Sequence, residues 1–154
     1  MMVPGIPRRI QAPPRAGAMI EALRGLGYDT STALADIVDN SIGAGSRHVW
    51  IDFEWAGRAS RVLVRDDGIG MSSTELEQGM RLGERDPLAT RRHDDLGRFG
   101  LGLKTASFSQ CRRLTVASRR DEVTSCLRWD LDEIAARGGT DWELLEGPAA
   151  GSED

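Results

Sequence analysis

Cysteine and long apolar runs are two features that this sequence has little of. Its 154 residues contain two cysteines, Cys111 and Cys126, which are too few for a disulfide framework and do not form a metal-ligand pattern. No apolar run is long enough to span a bilayer, and the N-terminus lacks the apolar core of a signal peptide. These absences exclude a disulfide scaffold and a membrane-spanning helix, and they predict a reduced, cytoplasmic protein with no membrane partner.

Lysine is scarcer still, because Lys104 is the only lysine among the 20 Lys and Arg residues. It directly follows a glycine-rich stretch, residues 97–103, with the sequence Gly-Arg-Phe-Gly-Leu-Gly-Leu. Glycines let a backbone approach a ligand closely, and an ammonium is a compact charge that suits phosphate oxygens. The stretch therefore predicts a phosphate cradle, although a flexible loop with an incidental lysine would have the same composition.

The net charge of −4 conceals an uneven distribution along the chain. Residues 81–120 contain ten Lys and Arg against four Asp and Glu, whereas residues 121–154 contain two against ten. A basic middle agrees with a polyanionic ligand such as a nucleotide, and it equally suits a nucleic-acid surface or a solvated charged face. Charge alone does not choose among these three.

Hydrophobic periodicity divides the chain into an extended lead-in (1–14), one folded domain (15–146) and a disordered tail (147–154). The predicted helices lie between Pro14 and Gly27, near 31–43, from Ser72 or Ser73 to Met80, around 103–108, and over 130–134. The predicted strands lie near 49–54, 61–65, 114–118, 123–129 and 142–145. In the first strand, apolar residues alternate with polar ones and with Trp50, so one face is expected to be buried.

The second predicted helix carries a polar pair beside its apolar stripe. Asp36 and Asn40 are four residues apart, so their side chains lie on one helix face about one turn from each other. A carboxylate and an amide oxygen in that arrangement suit a water molecule and a divalent cation. The alternative is two polar residues on a solvated face. The stripe that is expected to face the core consists of Leu34, Ile37, Val38 and Ser41.

A second polar cluster follows the strand at 61–65. Its sequence, Asp66-Asp67-Gly68-Ile69-Gly70-Met71, combines two carboxylates with two glycines. Such a strand end presents an acceptor to a ligand, while the alternative is an ordinary Asp-Gly turn. Residues 83–95 then have no apolar periodicity, and a polar loop of that length in a compact domain suits a lid.

Together, these motifs resemble the ATP-binding domain of the GHKL superfamily, which contains DNA gyrase, the ninety-kilodalton class of heat-shock chaperone, the sensor histidine kinases and MutL. The order is Asp-x-x-x-Asn on a helix, Asp-x-Gly-x-Gly at a strand end, a polar loop, and Gly-x-x-Gly-x-Gly-x-Lys. The sequence is most similar to MORC-like bacterial proteins, through residues 33–41 (Ala-Leu-Ala-Asp-Ile-Val-Asp-Asn-Ser), and the resemblance covers about residues 17–145.

The resemblance implies an α+β protein, a two-layer α/β sandwich of the Bergerat type with helices on one face of a mixed, mostly antiparallel sheet. It implies that Asn40 binds Mg²⁺ and that Asp36 activates the attacking water. Asp66 would accept a hydrogen bond from the adenine amino group, and Lys104 would reach the terminal phosphates. The remaining nucleotide-binding residues implied are Gly68, Gly70 and Met71 around adenine, and Gly97, Arg98, Phe99, Gly100, Leu101 and Gly102 around the phosphates.

The carboxylate at position 36 departs from the family pattern. The hydrolysing members have a glutamate there, and Asp36 is one methylene shorter. Since a misplacement of about 1 Å can cost on the order of 10²-fold in rate, the shorter side chain bears directly on hydrolysis. The adjacent Asp39 projects about 100° around the helix and is a poorer base. Many relatives also continue into a second domain, so the resemblance suggests a truncated or minimal version.

The resulting hypothesis is Mg²⁺-dependent ATP binding with slow hydrolysis, in which lid closure is coupled to dimerisation or to partner binding. Whether the protein is an enzyme depends on Asp36, and the alternative is a nucleotide-binding switch that does not hydrolyse ATP. A histidine-kinase-like phosphotransferase is a third and less favoured hypothesis, because His48 begins a strand and His93 lies in the polar loop, so no predicted helix presents a phosphoacceptor histidine. DNA or another protein as a partner rests on analogy with MutL and MORC relatives.

Overall fold

The computed structural model describes residues 10–25, 27–82 and 102–149. Within these ranges the chain forms five α-helices, five strands and one short 3₁₀ turn. In chain order they are α1 (Ala16–Arg24), α2 (Thr30–Gly43), β1 (Val49–Glu54), the 3₁₀ turn (Gly57–Ala59), β2 (Arg61–Asp66), α3 (Ser73–Met80), α4 (Gly102–Gln110), β3 (Arg113–Arg120), β4 (Val123–Asp130), α5 (Leu131–Ala136) and β5 (Leu145–Glu146). None of the described helices is long and apolar enough to cross a membrane.

Three predicted segments lie wholly or largely outside the described residues. They are most of the lead-in, the polar loop together with the start of the glycine-rich stretch, and most of the tail, at positions 1–9, 83–101 and 150–154. The element positions predicted elsewhere are confirmed, with ends that differ by a few residues.

The helix starts follow local sequence chemistry. Asp29 caps α2 by accepting a hydrogen bond from the backbone of Thr32, at 2.8 Å. Ser72 and Glu75 form a reciprocal capping box at the start of α3. Asp130 caps α5 through its side chain. These contacts satisfy backbone N–H groups that have no partner within the helix, which is why these residue types begin helices.

The α+β class is confirmed, and the strands are arranged in two sheets. β1 and β2 form an antiparallel hairpin, and β3, β4 and β5 form a second sheet in that order. The resemblance implied a mixed, mostly antiparallel sheet, and every strand pair that the structure describes is antiparallel. The second sheet ends in a short edge, because β5 pairs with β4 only at Leu127 and Arg128.

The hydrophobic core lies against the inner face of β3 and β4. Leu114 faces Trp129 across the two strands, and Val116 faces Leu127. Helices α1, α3, α4 and α5 contribute the other core side chains: Ala16, Ile20, Leu76, Met80, Phe108, Leu131 and Ile134. The Trp129 indole donates a buried hydrogen bond of 2.9 Å to the Met80 carbonyl, at the end of α3.

The hairpin of β1 and β2 lies outside this core. Ile51 is 38% exposed and Phe53 is 46% exposed, so the expectation that their face of β1 is buried is wrong for this hairpin. The alternation correctly identified a strand, but the apolar residues of α1, α3, α4 and α5 pack in the core with β3 and β4 instead. Aromatic rings stack on both faces of the hairpin: Phe53 with Trp55, and Trp50 with His48.

Candidate functional site

Helix α2 presents the polar pair that the sequence singled out. The predicted stripe is confirmed in part, since Ser41 is buried while the other three members are half-buried against the rest of the fold. Asp36 is half-buried and Asn40 is exposed. The Asn40 side-chain nitrogen donates to the Asp36 backbone carbonyl at 2.8 Å. This bond uses the N–H side of the amide, so the Asn40 side-chain oxygen remains the group that can accept from, or coordinate, a ligand.

Asp66, at the end of β2, is held beside this helix. The Ser41 hydroxyl donates to one Asp66 carboxylate oxygen at 2.9 Å, and the Gly68 backbone N–H donates to the other at 2.9 Å. Ser41 directly follows Asn40, so the structure brings the two predicted motifs together. Each carboxylate oxygen has a second lone pair, and Asp66 is exposed, so it keeps acceptor capacity towards a ligand.

The glycines after Asp66 are required by close packing. A Cβ atom at Gly68 would lie 2.9 Å from the Ala44 side chain, at the end of α2. Gly70 has φ of +67°, and a Cβ atom there would lie 2.1 Å from the Arg119 carbonyl oxygen of β3. Residues 66–71 therefore form a turn, and this turn packs between α2 and β3. That packing fixes the position of Asp66.

Met71 completes the connection to the second sheet. Its backbone N–H donates to the Ser118 hydroxyl of β3 at 2.8 Å, and its side chain packs against the core. The loop at 66–71 is thus fixed to α2 on one side and to β3 on the other. These contacts position the loop before a ligand binds, which limits the reorganisation needed for binding.

Asp67 has a different role from Asp66. One of its oxygens accepts the backbone N–H groups of Arg47 and His48, and the other lies 2.8 Å from the His48 ring nitrogen. The His48 side chain is the main reason that the Asp67 pKa is lowered to about 2. Asp67 therefore holds the entry to β1, and it also engages His48, one of the two histidines in the phosphotransferase hypothesis. The other, His93, lies outside the described residues.

Of the predicted phosphate-binding residues, the structure describes Gly102 and Lys104, at the start of α4. Gly102 is half-buried. The Lys104 side chain is 2% exposed, and its ammonium donates to the carbonyl oxygens of Gly79 at 2.8 Å and Arg81 at 2.6 Å. Lys104 thus ties the start of α4 to the end of α3. Its role at the terminal phosphates stays a prediction, and it would require phosphate to replace these carbonyls. Gly97, Arg98, Phe99, Gly100 and Leu101 lie outside the described residues.

Two residues of the site were missed by the sequence prediction. Ser41 was assigned to the core stripe, and it also anchors Asp66. Tyr28 was treated as a link between helices, yet Asp36 lies near its phenol and is the main cause that raises the Tyr28 pKa. Ser41 could have been suspected from its position next to Asn40. No sequence periodicity connects Tyr28 with Asp36.

A groove of about 960 Å³ lies elsewhere, between α3 and the β4–β5 edge. It is bordered by side chains such as Glu77, Arg81 and Trp142, and none of the described residues predicted for the site lines it. The groove is large enough for a ligand, but one of its carboxylates, Glu77, is paired with Arg81, and the groove contains none of the residues of the sequence motifs that meet around Asp66 and Asn40. We therefore place the candidate site at α2 and the 66–71 loop.

The side chains at this site fit a nucleotide with Mg²⁺. The Asn40 oxygen is a hard ligand of the kind that Mg²⁺ prefers, and Asp36 provides a carboxylate one turn away. Among the described residues, no group of three or more His, Cys, Asp or Glu side chains could hold a metal ion. An asparagine with one nearby carboxylate would suit Mg²⁺, which takes few ligands from protein and most from phosphates and water.

Comparison with known proteins supports the resemblance to ATP-binding domains. Residues 28–152 match the family model described as "Histidine kinase-, DNA gyrase B-, and HSP90-like ATPase". ATPase morc-1 of Caenorhabditis elegans is 30% identical over 96 residues, which is 62% of this chain and 11% of that protein. DNA mismatch repair protein MutL of Pseudomonas syringae pv. tomato is 32% identical over 132 residues, and MutL of Haemophilus influenzae (strain PittEE) is 33% identical over 124.

Each MutL alignment covers 78% of this chain and 18% of the relative, so the chain spans less than a fifth of the length of these curated relatives. The family model, by contrast, covers most of the chain, including α2, the 66–71 loop and α4. The chain therefore belongs to the GHKL superfamily of ATP-binding domains, and within it the chain is similar to the MORC-like branch.

Proposed function

We propose that this domain binds ATP with Mg²⁺ and hydrolyses it slowly. The single observation that carries the proposal is the position of Asp66, which Ser41 and the Gly68 N–H hold beside the helix that bears Asp36 and Asn40. Two independent motifs thereby share one surface. Family membership makes ATP the ligand to expect there, and the roles of the individual residues are our assignment.

At the adenine end, Asp66 is the proposed acceptor for the exocyclic amino group. Its two oxygens are already oriented by Ser41 and Gly68, so little conformational entropy is lost when adenine binds. Guanine has a carbonyl oxygen in place of that amino group, and this oxygen cannot donate a hydrogen bond to the Asp66 carboxylate. The same contact therefore predicts a preference for ATP over GTP.

At the phosphate end, Asn40 is the proposed metal ligand, through its side-chain oxygen. When bound, Mg²⁺ would neutralise phosphate charge. Gly102 stands at the start of α4, where backbone N–H groups that have no partner within the helix, together with the helix dipole, favour phosphate. We assign a phosphate contact to Lys104 as part of the same proposal. It requires the ammonium to exchange the carbonyls of Gly79 and Arg81 for phosphate oxygens.

For hydrolysis, Asp36 is the proposed general base. Its carboxylate accepts a proton from the attacking water while the water oxygen forms a bond to the γ-phosphorus. The bond from that phosphorus to the β–γ bridging oxygen breaks, and ADP leaves with the electron pair. Because Asp36 is one methylene shorter than glutamate, we expect this step to be slow.

The finer parts of the proposal come from the family resemblance. They are lid closure on ATP binding, a homodimer formed in that state, and DNA or a protein as partner. A cytoplasmic location is proposed as well, on the ground of the low cysteine content. The basic segment at 81–120 agrees with a polyanionic partner, and it agrees equally with ATP itself.

The binding assignment is tested by calorimetry with Mg-ATP. Wild type should bind, and Asp66→Asn should weaken binding about 10- to 100-fold, because a hydrogen bond to a charged group contributes about 1.5–3 kcal/mol. Asp67→Asn is the matched control, since Asp67 serves His48 and Arg47, and it should retain the wild-type affinity. No Mg-ATP binding by wild type would sink the proposed function.

Turnover is tested by phosphate release. Asp36→Ala should lower the rate at least tenfold with little change in ATP affinity, whereas Asp39→Ala, on the exposed side of α2, should retain the wild-type rate. Equal rates for Asp36→Ala and wild type would exclude Asp36 as the base. Tight binding without any phosphate release would instead favour the alternative, a nucleotide switch, which the short Asp36 side chain already favours.

A further inference from the structure

The groove of about 960 Å³ between α3 and the β4–β5 edge has no part in the proposed ATP site. On the helix side it is bordered by Ser73, Glu77 and Arg81, which recur every four residues. At about 1.5 Å of rise per residue, this row is about 12 Å long. An extended chain rises about 3.3 Å per residue, so the groove accommodates about four residues of extended peptide.

The β4 edge that borders this groove is only partly covered by β5. The Gly147 N–H donates to the Cys126 carbonyl at 3.0 Å, so the backbone groups of Cys126 point towards β5 and away from β3. Backbone groups two residues apart in a strand point the same way, and those of Thr124 therefore point outward as well. β5 ends at Glu146, and Gly147 leaves the extended conformation with φ of +84°. Among the described residues, none forms a hydrogen bond with the outward backbone groups of Thr124.

The side chains along this edge combine apolar surface with one uncompensated negative charge. Val123 is 61% exposed, and it lies on the same face of β4 as Leu127, because residues four apart in a strand share a face. Glu146 is paired in register with Leu127. It is exposed and forms no ion pair with any residue that the structure describes, whereas Glu77, the other carboxylate of the groove, is paired with Arg81. The charge that the groove offers to a ligand is therefore negative.

We propose that an extended segment of a partner protein adds to β4 at Thr124, in line with β5, and directs a Lys or Arg side chain at Glu146. The segment runs antiparallel to β4, so its residue opposite Ser125 lies two positions beyond Glu146 and on the same face. A basic side chain there lays its methylene stem over Leu127 and its charged end beside Glu146. Two positions further on, an apolar residue faces Val123. In such a strand addition, main-chain hydrogen bonds supply affinity and side chains supply specificity.

The chemistry of the edge favours a partner's segment over the chain's own N-terminal lead-in. Every run of four residues within 1–9 contains Pro4 or Pro7, which have no N–H to donate. The described part of the lead-in, residues 10–14, is exposed along its length. A segment without proline can both donate to the Thr124 carbonyl and accept from the Thr124 N–H.

The first test is a selection of phage-displayed random heptapeptides on the purified chain. Enriched peptides should share a basic residue, any residue and an apolar residue, in that order. For a selected peptide, Glu146→Lys should lower the affinity about tenfold, and exchange of the peptide's basic residue for Glu should restore it. Glu143→Lys is the matched control, because Glu143 pairs with Arg137 outside the groove, and it should keep the wild-type affinity. Selection without this pattern, or equal affinity for Glu146→Lys and wild type, would overturn the proposal.

A second test distinguishes strand addition from an ionic contact alone. In the proposed register the middle residue of the peptide pattern lies opposite Thr124, and its N–H donates to the Thr124 carbonyl. N-methylation of that peptide amide should lower the affinity about tenfold, whereas N-methylation of the next amide, which points away from β4, should change it less than about twofold. Equal losses at the two amides would exclude strand pairing at this edge.

Two further measurements exclude other occupants. In analytical ultracentrifugation, the chain alone should show no self-association that Glu146→Lys removes. If it does, a second copy occupies the edge and the assignment to a partner protein fails. A variant that lacks residues 1–9 should bind the selected peptide with the wild-type affinity, and tighter binding by that variant would show that the lead-in is the occupant. None of these measurements includes ATP, so failure of the proposed ATPase leaves the inference standing.

Discussion

The two sheets of this domain contain similar residues and are used in opposite ways. The β3–β4 pair buries its inner face under helices, so that Trp129 is 2% exposed and donates a hydrogen bond to the Met80 carbonyl. The β1–β2 hairpin leaves Trp50 49% exposed and Phe53 46% exposed. Yet the hairpin carries Asp66, the acceptor proposed for adenine. Stability is thus concentrated in one sheet, while the proposed adenine contact lies at the end of the other.

The division suits a binding site. Regions with few buried apolar contacts open locally at lower free energy, and binding elements are commonly drawn from them. The hairpin end is kept in register by a small number of specific contacts. The Ser41 hydroxyl reaches Asp66 from α2, and the Gly70–Met71 backbone meets Arg119 and Ser118 of β3. Mutations at these contacts therefore test how far the hairpin depends on the core.

The largest effect is expected at Gly70. Gly70→Ala places a Cβ atom 2.1 Å from the Arg119 carbonyl oxygen, in a backbone conformation with φ of +67°. Left-handed strain and the backbone clash together should cost about 4 kcal/mol of unfolding free energy. Because the hairpin end must move away from β3, ATP binding should fall as well. Urea unfolding and calorimetry measure the two consequences.

Gly45→Ala is the matched control for Gly70→Ala. Gly45 follows α2 with φ of +73°, and a Cβ atom there would have no neighbour within 4 Å. The Gly45→Ala variant should therefore lose only about 1–2 kcal/mol of unfolding free energy, which is the cost of the left-handed backbone without a clash. Equal losses for the two variants would show that the approach of the hairpin end to β3 does not hold the regions together.

A smaller effect separates the two tryptophans. Trp129→Phe leaves the buried Met80 carbonyl without its donor and creates a small cavity, so it should cost about 2 kcal/mol. Trp50→Phe changes an exposed ring on the hairpin and should cost less than about 0.5 kcal/mol. Urea unfolding followed by the fluorescence of the remaining tryptophans measures both. A loss at Trp50 as large as that at Trp129 would mean that the hairpin shares the core stability.

The elements of the fold could be predicted because local chemistry specifies them. Asp29, Ser72 and Asp130 begin helices for a local reason, since each side chain accepts from a backbone N–H that has no helical partner. The burial of β1 could not be predicted. Alternation identifies a strand with an apolar face, but only the packing of distant helices decides whether that face is covered.

The same distinction holds for the site. The spacing of Asp36 and Asn40 fixes a shared helix face, because the helix period is a local property. The bond between Ser41 and Asp66 spans 25 residues, and the anchoring of Tyr28 by Gln110 spans 82. No local sequence pattern predicts such long-range contacts. Lys104 illustrates the limit most clearly: its place after the glycines was evident, whereas its bonds to the end of α3 depend on how two helices meet.

The smallest expected effect concerns acid stability, and it again compares the two regions. Glu75 bonds Arg120 of β3 and completes the α3 capping box, and the Arg120 contact is the main reason that the Glu75 pKa is lowered to about 2. A lowered pKa stabilises the fold above the ordinary carboxyl pKa of 4.5, and that stabilisation is lost as pH falls through about 2. The pH window therefore runs from 4.5 down to about 2.

Urea midpoints of wild type and Glu75→Gln, measured from pH 7 to pH 2, test this window. The difference between the two proteins should be constant above about pH 5, and it should shrink towards zero at the acid end. High salt should reduce this difference, because both side chains are partly exposed.

Asp67→Asn should act differently, since its partners Arg47 and His48 adjoin the hairpin. It should speed hydrogen exchange at those two amides more than it shifts the global midpoint. A shift of the midpoint as large as that of Glu75→Gln would show that the hairpin and the core unfold as one unit.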